Sequence, residues 1–103
     1  MNKKELEDKI ISALKSIYDP EIPVDIYELG LIYDILVDDD FKVVITMTLT
    51  TPNCPVAESL PTDIELKIGS IKEVRSVQID LTFDPPWQKD MMSEEAKYEL
   101  GFL

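Results

Sequence analysis

The chemistry of this sequence centres on its single cysteine, Cys54, which lies between Pro52 and Pro55. Proline fixes its own φ and disfavours helical backbone in the residue before it, so Cys54 should be extended and Pro55 should begin a helix. As the helix N-cap, the thiol would face unpaired N–H groups and the positive end of the helix dipole. Both favour the thiolate, so we expect a nucleophilic cysteine with a pKa below the usual value of about 8.5. A small buried apolar side chain is the alternative role for a free cysteine.

Two neighbouring stretches hold polar groups that could serve such a thiol. The stretch 19–30 contains two prolines, a glycine and four carboxylates, which predicts a structured loop able to offer oxygen ligands or a base. The alternative, which we favour for any one of these acids, is that Asp19 and Asp25 bond to turn backbone and the glutamates are solvated. Alternating threonines also lead along a predicted strand towards the cysteine: Thr46, Thr48 and Thr50. Their hydroxyls could point towards sulfur, or they could reflect the ordinary β preference of threonine, which we favour for Thr46.

The composition excludes several kinds of site and partner. The chain has no histidine, so it cannot build a Cys–His nucleophile pair, a histidine base or a Cys/His zinc site by itself. Ten basic and twenty-one acidic residues give a net charge of -11, which opposes binding to nucleic acid and to anionic membranes. One cysteine cannot form an internal disulfide, and the sequence shows neither a signal-peptide core nor an apolar run that could span a bilayer. We therefore expect a cytoplasmic protein that folds as a single domain over residues 1–103.

The spacing of apolar residues predicts an α+β domain of two layers, in the order helix, strand, strand, helix, strand, short helix. The first helix buries residues from Leu6 to Ile17 and is capped by Asn2. Inward-facing residues are expected at alternate positions of the strands 31–37, 41–50 and 74–83, namely Leu31, Tyr33, Ile35 and Val37, then Val43, Ile45, Met47 and Leu49, then Val77, Ile79, Leu81 and Phe83. The result is a three-stranded mixed sheet covered by helices.

Local signals refine the second half of this arrangement. A helix from Pro55 to Gly69 crosses between the second and third strands, which makes those two strands parallel. Pro61 should kink that helix or force it to restart. Trp87 is expected to pack against the edge of the core, and Ser93 to cap a short helix that ends near Gly101.

Three groups of residues make the sequence closely resemble the SufT and PaaD-like family of iron-sulfur assembly factors. They are, in chain order, Asp19-Pro20-Glu21-Ile22 through Glu28-Leu29-Gly30-Leu31-Ile32-Tyr33, then Thr50-Thr51-Pro52-Asn53-Cys54-Pro55, then Phe83-Asp84-Pro85-Pro86-Trp87. The resemblance covers nearly the whole chain. It implies a compact α+β domain similar to the C-terminal domain of NifU, and a role in maturing iron-sulfur proteins. Some members resembling this chain serve as assembly factors for an oxygenase of phenylacetate degradation, and longer relatives carry N-terminal segments that are missing here.

Carried over residue by residue, the proposed site of the family falls on Asp19, Glu21, Ile22, Thr50, Thr51 and Cys54. The resemblance implies that Cys54 transiently binds iron or an iron-sulfur cluster, or docks to an apoprotein or carrier. The two acids would hold the charge and water of the site, and the two threonines would orient the loop and donate hydrogen bonds to sulfur. A single thiolate cannot supply the four cysteines usual for a cluster, so stable binding needs a homodimer, an external thiol or a partner. Any cluster or iron bound by a monomer should therefore be labile.

Two other classes of function stay open from the sequence. A thiol redox enzyme would cycle Cys54 through sulfenic acid with an external resolving thiol, although the missing histidine and second cysteine count against it. An interaction module would recognise a basic partner through its acidic surface, with Cys54 in a structural role. The leading hypothesis is the accessory factor, whose expected partners are the iron-sulfur assembly machinery and apo iron-sulfur client proteins.

Overall fold

The computed structural model describes residues 1–18, 23–49 and 59–101, in which helices pack against a three-stranded sheet. The elements are α1 (Lys3–Leu14), β1 (Ile32–Val37), β2 (Lys42–Met47), α2 (Ser59–Gly69), β3 (Ser76–Leu81), a 3₁₀ turn (Lys89–Met91) and α3 (Glu94–Glu99). α1 contacts β1 and α2, and α2 packs along β3. This order confirms the predicted α+β architecture with its mixed sheet.

α1 begins where the sequence supplies a cap and buries one of its faces. The Asn2 side chain accepts a hydrogen bond of 2.8 Å from the backbone N–H of Glu5, which satisfies one of the free donors of the first turn. Leu6, Ile10 and Leu14 follow at intervals of four residues, and all three are fully buried. This helix therefore confirms the predicted capping and periodicity.

The sheet has the order β1-β2-β3, with β1 antiparallel and β3 parallel to β2. Its centre is β2, where Val43, Ile45 and Met47 are buried as predicted. The crossover helix α2 covers this face with a second set of buried residues: Leu60, Ile64 and Ile68. Pro61 is the third residue of α2 as the structure describes it. The predicted helix start at Pro55 lies outside the described residues.

Two details of the strands differ from the prediction. β1 contains a bulge at Tyr33, because Ile32 pairs with Met47 while Asp34 pairs with Thr46. The extra residue shifts the alternation, so that Ile32 rather than Tyr33 packs against the core. β3 is shorter than predicted and ends at Leu81, since the Thr82 hydroxyl accepts from the N–H of Asp84 at 3.2 Å and turns the chain. Leu81, the last residue of β3, and Phe83, which lies beyond it, are 44% and 41% exposed instead of buried.

The chain after β3 confirms the predicted packing of Trp87 and the short helix. Trp87 packs, half-buried, against the core. The Ser93 hydroxyl caps α3 by accepting from the N–H of Ala96 at 3.1 Å, and Gly101 follows the helix with a φ of 81°. No helix within residues 1–18, 23–49 and 59–101 is long and apolar enough to cross a membrane.

Candidate functional site

The six site residues predicted from the family resemblance belong to two segments that lie outside the described residues. We call residues 19–22 the first site segment and residues 50–58 the second site segment. The first contains Asp19, Glu21 and Ile22, and the second contains Thr50, Thr51 and Cys54. Their predicted roles therefore stay predictions. The structure does describe how the chain on either side of each segment is held.

A series of backbone hydrogen bonds joins the residues that border the two site segments. The N–H of Ile26 donates to the carbonyl of Ile17 at 2.9 Å, and Tyr18 forms a bridge with Asp25. The N–H of Leu31 donates to the carbonyl of Ile26 at 3.2 Å. The N–H of Thr48 in turn donates to the carbonyl of Leu31 at 2.9 Å. One hydrogen-bonded unit thus contains the residues on both sides of the first site segment and the residues just before the second.

Asp25 has a structural role within this unit, which was one of the two roles that the sequence allowed for it. Its carboxylate accepts from the N–H of Glu28 at 3.0 Å, and its carbonyl accepts from the N–H of Leu29 at 3.0 Å. Glu28 forms an ion pair with Lys15 at 3.6 Å. These bonds fold the chain into a turn that places three apolar residues in the core: Val24, Ile26 and Leu29. Two of the four carboxylates of the stretch 19–30 therefore stabilise the fold.

The C-terminal part of the chain closes over this turn, and we call residues 85–93 the C-terminal clamp. The indole N–H of Trp87 donates to the carbonyl of Leu29 at 2.8 Å, and the Tyr33 hydroxyl donates to the carbonyl of Pro85 at 2.7 Å. The N–H of Ser93 donates to the carbonyl of Glu28 at 2.8 Å. The clamp therefore binds the chain at three points, all of them between residues 28 and 33.

Gly30 allows the clamp to approach this closely. Its φ is 88°, a backbone conformation that residues with a Cβ atom rarely adopt. A Cβ atom added there would lie 2.5 Å from the carbonyl oxygen of Met91. Both observations require a glycine at this position.

Thr48 is the residue of the threonine row that the sequence did not single out. It is fully buried, and its hydroxyl has no hydrogen-bond partner within the described part of the chain. Leaving a buried hydroxyl without a partner costs about 1–3 kcal/mol, so such groups are uncommon. Thr46, by contrast, is half-buried, and it alternates with the buried residues of β2 and so lies on the opposite face of the sheet. This agrees with an ordinary role in a strand. Thr48 lies two residues before the second site segment.

An acidic cleft lies beside the first site segment, next to Tyr18. Its volume is about 300 Å³, and α3 closes its far side. It is lined by Lys15, Tyr18, Val24, Asp25, Glu28, Glu95, Ala96 and Glu99. The sequence predicted acids near the first site segment but missed Glu95 and Glu99, because only their spacing of four on α3 hinted that they share a face. Within residues 1–18, 23–49 and 59–101, no group of three or more carboxylate or thiol side chains is placed to hold a metal ion.

A sequence profile of the iron-sulfur cluster assembly protein family matches residues 7–81. The chain belongs to this family. An Fe-S protein maturation auxiliary factor of Porphyromonas gingivalis is 57% identical over 97 residues, which cover 94% of this chain and 92% of that relative. The Fe-S protein maturation auxiliary factor SufT of Staphylococcus aureus is 38% identical over 85 residues, which cover 82% of this chain and 97% of that protein.

A solved structure supports the fold of this family member. A domain of unknown function (DUF59) from Bacillus anthracis matches it with a TM-score of 0.89 and 37% identity, over 97% of this chain and 95% of that one. The resemblance to the SufT family is therefore confirmed. Two of the residue groups that carried it, 28–33 and 83–87, meet where the C-terminal clamp contacts the turn.

Proposed function

We propose that this protein is an accessory factor in iron-sulfur cluster assembly or in the maturation of iron-sulfur proteins, and that it acts through Cys54 in the cytoplasm. The observation that carries this proposal is the similarity to the maturation factor of Porphyromonas gingivalis, which extends over 94% of this chain and 92% of that relative. The expected partners are the assembly machinery and apo iron-sulfur clients.

In this proposal the Cys54 thiolate is the ligand, and iron or a cluster is cargo. Asp19 and Glu21 hold the charge and water around the cargo, while Thr50 and Thr51 donate hydrogen bonds to sulfur. Ile22 belongs to the same site through the family resemblance. Because one thiolate is far short of the four cysteines of a usual cluster, the cargo is held weakly by one chain and needs a second chain, an external thiol or a partner. Weak retention suits a protein that passes its cargo on.

The described anchors support a joint site. The bonds from Ile17 to Ile26, from Ile26 to Leu31 and from Leu31 to Thr48 hold the flanking residues of the two site segments in one unit. The C-terminal clamp then fixes the turn that contains the middle bond. A site assembled from both segments therefore has a rigid base, which keeps its groups positioned between successive rounds of transfer.

Replacement of the thiol tests the proposal. Cys54→Ser should abolish complementation of a strain that lacks the protein, while the melting temperature stays nearly unchanged. Anaerobic reconstitution of the wild type, followed by iron and sulfide assays and size measurement, should give no more than one cluster per two chains, or should require added glutathione. The same variant should give none. Because Cys54 is the only thiol of the chain, the pH dependence of alkylation reports on it alone, and its midpoint should lie below about 8.5.

Each alternative function has its own outcome in these experiments. One stable cluster per chain without added thiol would contradict the ligand count. A loss of several kcal/mol of stability in Cys54→Ser, the scale of a disrupted core site, would assign the cysteine a structural role. Accumulation of a sulfenic acid on Cys54 that an external thiol reduces, with no iron or cluster bound on reconstitution, would instead indicate a redox enzyme.

A further inference from the structure

β3 is an edge of the described sheet that lacks most of the common protections against pairing, since Asp80 is its one charged residue. Proteins usually protect an edge strand with lysine, proline, a bulge or a covering segment. The six residues Ser76–Leu81 include neither lysine nor proline. Their register with β2 is regular from Lys42↔Ser76 to Met47↔Leu81, without a bulge. β1, the opposite edge, contains a bulge and is contacted at Tyr33 by the C-terminal clamp.

The backbone of β3 offers hydrogen-bonding groups along this free edge. The N–H of Thr82 donates to the carbonyl of Met47 at 2.8 Å, which sets the phase of the ladder with β2. In a regular strand, alternate residues direct their N–H and C=O groups to opposite sides, so the groups of Val77, Ile79 and Leu81 point away from β2. No backbone hydrogen bond from the described chain outside the sheet reaches these three residues. The edge is therefore ready to accept another strand.

The side chains along the edge differ between the two faces of the sheet. On the face covered by α2, a shallow groove of about 370 Å³ runs between the helix and β3, and it contains Leu66, Gly69 and Val77. Leu66 is 69% exposed there. On the other face Gln78 and Asp80 are exposed, and the amide of Gln78 donates to the carboxylate of Asp80 at 2.8 Å. An added strand would thus meet an apolar groove on one face and a carboxylate on the other.

The charges favour a basic partner over a second copy of this chain. Neither Asp80 nor Glu65, which lines the groove, forms an ion pair within the described residues, whereas Arg75 supplies positive charge only at the start of β3. The whole chain has a net charge of -11, so two copies repel each other. A segment with lysine or arginine would instead be attracted to the end of β3 that carries Asp80.

We propose that the free edge of β3 binds an extended segment of a basic partner protein as a fourth strand. The segment places apolar side chains at alternate positions into the groove beside Leu66 and Val77, and its lysine or arginine side chains lie on the opposite face near Asp80. Main-chain hydrogen bonds to Val77, Ile79 and Leu81 supply affinity, and the groove supplies specificity. This interaction goes beyond the proposed role of Cys54 and does not depend on it.

Two blocked synthetic peptides of identical composition test the proposal. One alternates four lysines with four valines, and the other has the four lysines followed by the four valines. General attraction to an acidic protein would bind both alike, whereas strand addition requires the alternation. In NMR titrations of the full ¹⁵N-labelled chain at physiological ionic strength, the alternating peptide should bind at least about tenfold more tightly. Its addition should shift the amide signals of Val77, Ile79 and Leu81.

Variants of the chain complete the experiment. Leu81→Pro removes an edge-facing N–H but no bond to β2, so it should weaken binding of the alternating peptide about tenfold or more. Leu66→Ser, which alters no backbone, should weaken it by a smaller factor. Leu36→Ser is the matched control, because Leu36 is exposed on the face of the sheet away from α2 and should bind the peptide like the wild type.

Several results would overturn the proposal. Equal binding of the two peptides would reduce the interaction to charge alone. Amide shifts confined to the acidic cleft would place the basic peptide there instead. Concentration-dependent shifts of β3 without any peptide would show that a second copy occupies the edge. Cys54→Ser should bind the alternating peptide normally, so that a failure of the cysteine hypothesis and a failure of this one remain distinguishable.

Discussion

The two edge strands of the sheet differ in how well their backbones are protected from pairing with another strand. Beside β1, a bulge at Tyr33 interrupts the ladder, and the C-terminal clamp binds the chain through Trp87 and Tyr33. Beside β3, the ladder is regular and the backbone groups of Val77, Ile79 and Leu81 face outward. Because an unprotected edge is a liability for any soluble chain, the difference indicates that the β3 edge is kept free for binding while the β1 side holds the site together.

The largest loss of stability on the β1 side should come from a substitution at Gly30, where the clamp approaches the turn closely. Gly30→Ala combines a φ of 88° with a Cβ only 2.5 Å from the Met91 carbonyl oxygen. Strain and overlap together should lower the free energy of unfolding by about 3 kcal/mol or more, measured by urea denaturation.

Gly101 provides the matched control for this substitution. It also has a positive φ, 81°, but a Cβ there would meet no atom within 4 Å. Gly101→Ala should therefore cost only about 1 kcal/mol or less, the penalty for backbone strain without overlap. Equal losses in the two variants would show that the contact with Met91 contributes nothing.

A smaller effect is expected at Trp87, where phenylalanine removes the indole N–H together with one of the two rings packed against the core. Trp87→Phe leaves the Leu29 carbonyl without the donor that now lies at 2.8 Å. The loss should be about 1–2 kcal/mol in the same denaturation experiment. Tyr98→Phe is the control, because Tyr98 is 74% exposed and the change should be close to neutral. If Trp87→Phe were as stable as the wild type, the clamp would depend on apolar packing alone.

The elements of the fold were predictable because each carries a local signal. Asn2 with Glu5, the alternation of Val43, Ile45 and Met47, and the cap at Ser93 each express a rule that operates within a few residues. The bulge at Tyr33 was not predictable, because it depends on the pairing of β1 with β2 and leaves no mark in the alternation of apolar residues. The end of β3 at Leu81 likewise depends on a turn made by Thr82 with Asp84.

The surroundings of the site were predictable only in part. The prolines and acids of the stretch 19–30 predicted a structured loop, and Asp25 does bond to the backbone there. The pairing of that turn with the C-terminal clamp joins residues 58 apart, for which the sequence offers no spacing rule. For the same reason Glu95 and Glu99 could not be assigned in advance to the cleft beside Tyr18. The contacts that build the base of the site are long-range.

Thr48 offers a more modest test, on the β1 side of the molecule. Thr48→Val keeps the shape of the side chain and removes a buried hydroxyl that has no partner in the described part of the chain. The variant should be more stable than the wild type by about 1 kcal/mol, measured by urea denaturation. Thr46→Val, at a half-buried position of the same row, is the control and should change stability little. A clear loss of stability in Thr48→Val would mean that the hydroxyl is bonded, with the second site segment as the nearest source of a partner.

The smallest effect concerns the approach to β3, where Lys9 of α1 donates to the carboxylate of Glu73 at 2.7 Å. This hydrogen bond, together with the positive charge of Lys9, holds the pKa of Glu73 below its ordinary value. Because the pKa of Glu73 is lower in the folded protein than in the unfolded chain, the pair stabilises the fold at a pH above the unfolded-state pKa. This contribution disappears as the pH falls through the folded-state pKa. Because the pair is at the surface, the change in stability should be slight and should decrease further with salt. An NMR titration of the Glu73 carboxyl should give a midpoint below the ordinary value, and Lys9→Met should return it there, whereas Lys4→Met on the same helix should leave it lowered. An unchanged midpoint in Lys9→Met would show that α1 does not tether the start of the open edge through this pair.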